Sequence, residues 1–343
     1  MFCKAFAYIF LNIPMSDDQL QKTPTSPPSH TAVLIFNPGA GGSGGVEVET
    51  LLDMLRPAGG EIRSHALIEG EDAGEVAKQA VEEGAPWIAV VGGDGTVEAV
   101  AKALIGKDVP LGVIAAGTYN NFALSLGIPT DPLKAAELIR GGQVKAIDVG
   151  FVNGQPFLEC VGAGLDAALF PLGDEIKEGQ FLRWFTLMRR AWTYPKQQFE
   201  LIFDRPVGEA VAPGQPRTRH LRKFHGKSLR ISALMVTASN GPYYGMNFAV
   251  APSARVDDGL ITVSVFKRFS KLELWWHFFS ISFGRRAYSP KTITFRVGSL
   301  EIRGPERLPT HRDGSPAEDW PLKVECRRGA LKVFASDVIP PVS

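Results

Sequence analysis

The sequence of 343 residues is poor in cysteine and has no long apolar run. Its three cysteines, Cys3, Cys160 and Cys326, have neither the spacing of zinc ligands nor a disulfide-like pattern. This favours a reducing, cytoplasmic compartment over a disulfide-stabilised secreted protein. No stretch reaches the roughly 18 uncharged apolar residues of a membrane-spanning helix. Residues 1–30 are predicted to be a flexible N-terminal tail, because their apolar start is short and a polar, Pro- and Ser-rich stretch follows it.

Net charge is also nearly absent, at +1, but the charges are unevenly divided along the chain. Residues 1–150 contain 10 Lys and Arg against 18 Asp and Glu, whereas residues 151–343 contain 27 against 18. A basic half of this kind can face an anionic membrane surface, or it can be ordinary solvated surface. No nucleic-acid-binding motif accompanies the basic residues, so no nucleic-acid partner is expected.

Glycine, in contrast, is abundant where apolar runs end. The β-type runs Thr31–Phe36, Trp87–Val91 and Leu111–Ala115 each lead into a glycine-rich turn, and helical patterns such as Asp72–Glu83 alternate with them. This alternation predicts a parallel sheet covered by helices on both faces. Ligands of such sheets bind beyond the carboxyl ends of the strands, where glycines and helix N-termini accommodate phosphate. We therefore predict an α/β nucleotide-binding domain over residues 31–145.

Residues 146–343 follow a different pattern. Short alternating runs such as Leu260–Phe266 and Thr292–Val297 are typical of antiparallel β-structure. A hairpin is predicted across Asn153-Gly154, the residue pair that two-residue hairpin turns prefer. This part is therefore predicted to be a β-rich antiparallel sandwich. We leave open that its final residues return to the first domain.

Four motifs, in this order, resemble the diacylglycerol kinase catalytic-domain family. They are GGDGT at Gly92–Thr96, GT-x-N with LGIP within Gly117–Pro129, DVG at Asp148–Gly150, and SNG…APSARVDDGL within Ser239–Leu260. GGDGT alone also occurs in NAD kinases and phosphofructokinases, but the ordered set is specific. The resemblance implies a phosphofructokinase- and NAD-kinase-like domain followed by a β-rich lipid domain. It also implies a lipid kinase that uses ATP and Mg²⁺ to phosphorylate a hydroxyl of a diacylglycerol- or sphingoid-like lipid.

The same resemblance assigns residues to the site. Asp94 is expected to help hold the nucleotide and Mg²⁺, since a carboxylate beside phosphate requires a cation or a ribose hydroxyl between them; a helix N-cap is its structural alternative. Asp148 is expected to act in catalysis by orienting the acceptor. Asp258 and the backbone of Leu260 match a segment where bacterial relatives hold a structural Mg²⁺, although an ordinary turn explains them equally well. The residues expected along the nucleotide are Asn37, Gly41, Gly92, Gly93, Gly95, Thr96, Gly117, Thr118 and Asn120.

The sequence departs from the family pattern at three places. Asn121 stands where many relatives carry Asp, and Glu98-Ala99 stands where Asn-Glu is usual. Ser315 stands where the family has the Glu of an Asp-Gly-Glu motif, the expected general base or nucleotide contact. Serine cannot act as a base at neutral pH without its own activator, so Asp313 is expected to take over, with the acidic pair at 318–319 as an alternative. A catalytically impaired lipid- or nucleotide-binding regulator is therefore a second hypothesis.

Two helical patterns, near 175–193 and 270–285, carry aromatic residues at helical spacing next to arginines. Packed core is the default interpretation of such a stripe, and an interfacial helix lining a lipid cavity is the alternative. With the basic residues between 217 and 230, they predict a lipid substrate and peripheral contact with an anionic membrane from the cytoplasm. A homodimer is left open. A kinase for a soluble acceptor such as NAD is a third hypothesis, which the aromatic stripes disfavour.

Overall fold

The computed structural model describes residues 31–38, 47–56, 60–168, 189, 192–208, 210, 225–245, 249–267, 292–317 and 320–336. The predicted tail, Gly41 with its loop, the acidic pair at 318–319, and most of the two aromatic stretches and the basic segment lie outside these residues. The helices are α1 (Val48–Leu55), α2 (Ala73–Glu82), α3 (Asp94–Leu104), α4 (Asn121–Ser125) and α5 (Pro132–Arg140).

The strands fall into two groups along the chain. The first group is β1 (Thr31–Phe36), β2 (Glu61–Ala66), β3 (Ile88–Gly92), β4 (Leu111–Ala115), β5 (Val144–Val152), β6 (Gln155–Phe157) and β7 (Cys160–Gly164). The second group is β8 (Gln197–Val207), β9 (Gly226–Ala233), β10 (Met235–Ser239), β11 (Ile261–Phe266), β12 (Thr292–Val297), β13 (Ser299–Arg303), β14 (Thr310–Arg312), β15 (Ser315–Ala317) and β16 (Leu322–Phe334).

The first half of the chain forms the predicted parallel sheet, with strand order β2-β1-β3-β4. From β1 the chain moves outward to β2, and from β3 it moves in the opposite direction to β4. In a sheet of this kind the crevice where the direction of winding reverses is the usual ligand site. That crevice lies beyond the carboxyl ends of β1 and β3, where the glycine-rich turns begin.

The helices of this half begin in two different ways. Asp72 caps α2 by accepting a hydrogen bond from Gly74 N at 2.7 Å, and Asp131 caps α5 through Leu133 N at 2.9 Å. Helix α3 instead follows Gly93, which has no side chain to cap it. The first backbone N–H groups of a helix have no partner inside the helix. The start of α3 therefore presents N–H groups and a positive dipole end toward the sheet edge.

The second half forms the predicted antiparallel sandwich. One layer continues the large sheet through β16, β13, β8 and β9, and the other layer is a six-stranded sheet with the order β12-β11-β10-β7-β14-β15. Their inner faces share one apolar core, in which the rings of Phe203 from β8 and Phe295 from β12 lie 5.2 Å apart. The hairpin across Asn153-Gly154 forms, with β5 and β6 pairing antiparallel and both turn residues at positive φ.

The last strand runs through both halves. The sequence pattern predicts two short strands at its position, Leu322–Cys326 and Leu331–Phe334, but β16 is a single strand of 13 residues with an irregularity between Arg327 and Leu331. Its first part packs Leu322 and Val324 into the sandwich core, and its last part places Leu331 and Val333 in the core of the parallel sheet. Among the described residues, no helix is long and apolar enough to cross a membrane.

Candidate active site

Two glycine turns meet at the carboxyl edge of the parallel sheet. Ala116 N donates to Gly92 O at 2.9 Å, which extends the pairing of β3 and β4 into the turns. A methyl group on Gly117 would lie 2.6 Å from Gly93 Cα. Two backbones can approach this closely only where side chains are absent. The two turns therefore form one compact surface.

Asn120 locks this surface. Its side chain accepts a hydrogen bond from Gly117 N and donates one to Gly117 O, both at 2.9 Å. Its backbone N–H donates to Asp94 Oδ2 at 2.8 Å. The residue adopts a left-handed conformation, with φ of 56°, which asparagine tolerates better than most residues. Asp94 and the GT-x-N turn are thus held together.

Asp94 opens α3 and lies at the edge of this surface. Burial raises the pKa of its carboxyl, and the backbone N–H groups of Asn120, Asn121 and Phe122 oppose that rise. The carboxylate is therefore partly desolvated but is stabilised by N–H dipoles. Gly93 is the N-cap of α3 and Asp94 is the first helical residue, so the N-cap interpretation of Asp94 is wrong, and its contact with the nucleotide and Mg²⁺ stays a prediction.

Four other predicted nucleotide residues that the structure describes, Asn37, Gly95, Thr96 and Thr118, lie around this surface. Asn37 N donates to Val91 O at 3.2 Å, which places Asn37 at the end of β1 beside β3. A methyl group on Gly95 would meet no atom within 4 Å, so the space over the start of α3 is open. Thr96 lies in the same first turn, and Thr118 is exposed on the second glycine turn. An open helix N-terminus between glycine turns fits the phosphates of a nucleotide.

A second set of charged residues lies along α3 and the hairpin of β14 and β15. Lys102 forms ion pairs with Glu98, one helical turn away, and with Asp313 Oδ2 at 3.3 Å. Burial raises the pKa of Glu98, the charge of Asp313 raises it further, and Lys102 opposes both. This lysine, which the sequence analysis did not single out, joins the nucleotide half to the sandwich.

The side chain of Asp313 is buried, and all four acceptor positions of its carboxylate are used. It accepts hydrogen bonds from the backbone N–H groups of Leu158 at 3.0 Å, Glu159 at 2.9 Å and Cys160 at 3.1 Å, in addition to the ion pair with Lys102. Asp313 therefore fixes the segment between β6 and β7. Ser315, at the position of the family's Glu, is exposed at the start of β15.

Glu159 is the residue that Asp313 holds in place, and the sequence analysis missed it. Burial raises the pKa of Glu159 well above its usual range, and the charges of Asp313 and Asp94 raise it further. Its Oε2 lies 3.4 Å from Asn121 Nδ2. The one signal in the sequence was a carboxylate inside the otherwise apolar run Phe157–Gly164.

Asn121 connects Glu159 to the GT-x-N turn. The residue is 3% exposed, and its Nδ2 donates to Gly245 O at 2.7 Å as well as facing Glu159. Its Oδ1 is buried and accepts no hydrogen bond from the described residues. An unpaired buried carbonyl oxygen is costly, so this oxygen is a candidate for contact with a ligand.

Asp148 lies in the middle of β5. Its Oδ2 accepts a hydrogen bond from Gly259 N at 2.5 Å, and its Oδ1 accepts one from Gly329 N at 2.9 Å. The side chain thus ties the loop before β11 to the irregularity in β16. These contacts give Asp148 a structural role, and its catalytic role stays a prediction of the resemblance.

The predicted structural cation site is formed differently in this chain. The carboxylate of Asp258 makes an ion pair with the Arg296 guanidinium from β12 and accepts a hydrogen bond from Leu260 N at 3.0 Å. A metal ion would have to displace that guanidinium, so these side chains do not fit one. In the described part of the chain, no group of three or more metal-ligating side chains is present.

A further polar group lies behind the β14–β15 hairpin. His311 Nε2 is 2.9 Å from Asp166 Oδ2 and 3.3 Å from Tyr244 OH, and the rings of Tyr244 and His311 stack 5.1 Å apart. Asp166 and His311 occupy the space that a side chain at Gly162 would fill. The group packs beside a small apolar cluster that includes Cys160 and Leu165.

Comparison with known proteins gives the family. The diacylglycerol kinase catalytic domain matches residues 31–152, and the YegS C-terminal NAD kinase beta sandwich-like domain matches residues 193–335. A protein of Pseudomonas fluorescens named "Probable lipid kinase YegS-like" is 26% identical over 86% of this chain and 92% of its own length. The diacylglycerol kinase of Bacillus subtilis is 30% identical over 69% of this chain and 74% of its own length.

The fold has solved relatives as well. The crystal structure of a diacylglycerol kinase from Bacillus anthracis is similar, with a TM-score of 0.64 and 21% identity over 91% of this chain and 98% of that one. The comparison confirms the predicted order of an α/β domain and a β-sandwich. From these matches and the shared motifs, the chain belongs to the diacylglycerol kinase catalytic-domain family.

Proposed function

We propose that this protein transfers the γ-phosphate of ATP to a hydroxyl group of a diacylglycerol- or sphingoid-like lipid. The observation that carries the proposal is the contact between the two glycine turns, with Asp94 hydrogen-bonded to Asn120 at the open start of α3. Such a surface binds phosphate, and a carboxylate at its edge suits a nucleotide that arrives with a cation.

The donor set at this edge fits Mg²⁺ that is bound together with ATP. Mg²⁺ usually binds through one or two carboxylates and the phosphates of the substrate. Asp94 would supply the protein ligand, and the N–H groups of Gly95 and Thr96 would lie along the phosphates. Mg²⁺ supplies neutralisation of the phosphate charge in transfers of this kind. The chain's own residues orient the phosphates through the glycine turns.

The acceptor side is supported by the distribution of charge and by the family. Relatives named lipid kinase and diacylglycerol kinase share both halves of the chain. The excess of Lys and Arg in residues 151–343 favours contact with anionic lipid headgroups at a membrane surface. The aromatic stretches near 175–193 and 270–285 are the candidates for lining a lipid cavity, the alternative to packed core that the sequence analysis gave.

The direct test is an assay with the purified full chain, radiolabelled ATP, Mg²⁺ and mixed micelles containing diacylglycerol, sphingosine or ceramide. We expect label in one of these lipids and its loss in Asp94→Asn. NAD in the same assay tests the soluble-acceptor hypothesis, since its labelling without lipid labelling would overturn the proposal.

The same assay also tests the hypothesis that the chain is a catalytically impaired regulator. If calorimetry shows that ATP binds but no acceptor is labelled, the chain is a nucleotide-binding regulator and not a kinase. The exposed Ser315 motivates this control. If the missing carboxylate alone prevents transfer, the variant Ser315→Glu should label a lipid that the wild type does not label.

A further inference from the structure

We propose that Glu159 is the proton acceptor for the lipid hydroxyl and supplies the carboxylate that the family has at positions 121 and 315. This inference rests on the proposed kinase function. Position 121 is Asn, and position 315 is an exposed Ser. Glu159 lies across a 3.4 Å contact from Asn121, at the junction of α4 with the sandwich.

The other carboxylates near Glu159 already form hydrogen bonds or ion pairs within the protein. Asp313 accepts three backbone N–H groups and pairs with Lys102. Asp148 accepts two backbone N–H groups within the fold, and Glu98 pairs with Lys102. A carboxylate offers about four acceptor positions. Among the described residues, the side chain of Glu159 meets only the amide of Asn121, so most of its acceptor capacity is unused.

The backbone of Glu159 is fixed from two sides, as a positioned base requires. Its N–H donates to Asp313 Oδ1 at 2.9 Å. Its carbonyl oxygen accepts hydrogen bonds from Asn240 N at 2.9 Å and Gly241 N at 3.4 Å. The side chain is only partly exposed and is close enough to Asp94 to feel its charge. A fixed base beside the nucleotide is what in-line phosphoryl transfer needs.

The unpaired Oδ1 of Asn121 is a second, independent sign of a ligand at this contact. It belongs to a residue that is 3% exposed, and no described group donates to it. A donor on the ligand other than the reacting hydroxyl, whose single hydrogen goes to Glu159, would satisfy such an oxygen. The unpaired oxygen of Asn121 and the carboxylate of Glu159 therefore belong to the same contact.

The step balances as follows. The lipid hydroxyl oxygen forms a bond to the γ-phosphorus while the bond from that phosphorus to the β–γ bridging oxygen breaks. The electron pair of the broken bond leaves with ADP. The hydroxyl proton passes to a carboxylate oxygen of Glu159 and returns to water after the products leave.

The test compares the wild type with Glu159→Gln, Glu159→Asp and the double variant Asn121→Asp/Glu159→Gln. We expect Glu159→Gln to lower kcat by about 10²- to 10³-fold, with the ATP Kd and the lipid KM nearly unchanged. Glu159→Asp should keep part of the activity. The double variant, which moves the carboxylate across the contact, should recover at least about tenfold over Glu159→Gln.

Two results would overturn the inference: a Glu159→Gln enzyme with near-normal kcat, or a loss that appears in ATP affinity instead of kcat. Absence of recovery in the double variant would contradict the shared position of the two carboxylates. Glu301→Gln, which removes a carboxylate from the distant strand β13, is the matched control. If the wild type itself labels no acceptor, the proposed function fails first, so the two failures are distinguishable.

Discussion

At the scale of single residues, the site contains positions where one added methyl group would change either the stability of the fold or the binding of ATP. Gly117 and Gly95 both belong to the glycine turns, yet their surroundings differ. The first is packed against another backbone, and the second faces open space. Substitutions at the two positions therefore distinguish a glycine that the fold needs from a glycine that ATP binding needs.

We expect Gly117→Ala to destabilise the protein by about 1–3 kcal/mol, because its methyl group would press on Gly93 and on Asn120 Oδ1 at 2.9 Å. Gly95→Ala should leave the melting temperature unchanged or slightly higher, since alanine favours a helix. It should nevertheless weaken ATP binding by about tenfold or more, because the methyl group enters the space of the phosphates. Calorimetric melting and ATP titration check both; normal ATP affinity in Gly95→Ala would contradict the proposed phosphate position.

Glu159 gives a residue-scale prediction about pH. Its pKa is raised in the folded protein, so the folded state holds the proton at a pH where the unfolded state has released it. The protein therefore loses stability as pH rises from the usual Glu pKa through the raised one. Glu159→Gln cannot ionise, and its melting temperature should exceed that of the wild type at about pH 8, with the gain vanishing near about pH 4 to 5. A lower melting temperature at the higher pH would indicate a purely structural residue.

At the scale of elements, Asp148 joins two segments that are distant in sequence. Replacing it by Asn leaves one acceptor for the two N–H groups of Gly259 and Gly329. We expect Asp148→Asn to lose about 1–3 kcal/mol of stability and to speed amide exchange at both glycines, with the ATP Kd nearly unchanged. If kcat instead falls by about 10² or more at an unchanged melting temperature, the catalytic role that the resemblance implies is correct.

The ion pair of Arg296 on strand β12 with Asp258 in the loop before β11 leads to a prediction about removal of Mg²⁺. Arg296 occupies the carboxylate of Asp258, so the melting temperature without nucleotide should be the same in Mg²⁺ and in EDTA, within about 1 °C. Arg296→Met leaves Asp258 without its cation and should cost about 1–2 kcal/mol. Mg²⁺ should then restore part of that loss. A wild type that EDTA destabilises would show that a metal ion displaces the arginine.

Elements also show what the sequence could and could not predict. The Gly-Gly-Asp and Gly-Thr turns were predictable, because apolar runs, glycines and helix starts are adjacent in the chain. Glu159 was not, because its neighbours Asn121, Asp94 and Asp313 come from three other segments. The sequence analysis left open a return of the final residues to the first domain, but it could not predict the single strand β16, since pairing of Val333 with Leu111 depends on residues more than two hundred positions apart. The catalytic assignments of Asp94, Asp148 and Asp313 remain predictions.

At the scale of the whole molecule, β16 makes two hydrophobic cores depend on one strand. Leu331 and Val333 are fully buried in the core of the parallel sheet, while Leu322 and Val324 are buried in the sandwich. Lys102 adds an ion pair between α3 and the β14–β15 hairpin. Asp94 on α3 and Glu159 beside β7 belong to these two halves, so we expect the geometry of the site to depend on both cores.

We therefore expect a single calorimetric unfolding transition that ATP shifts upward as a whole. Leu331→Ala, which creates a cavity in the nucleotide half, should cost about 2–5 kcal/mol and should speed amide exchange equally in β3 and in β11. Ile68→Ala, at a side chain that is 73% exposed, is the control that should change neither. Two separate transitions, or faster exchange confined to β3, would mean that β16 does not couple the cores. The site would then sit between independent units, and the fixed contact from Asn121 to Glu159 on which transfer is proposed to depend could not persist without bound ligand.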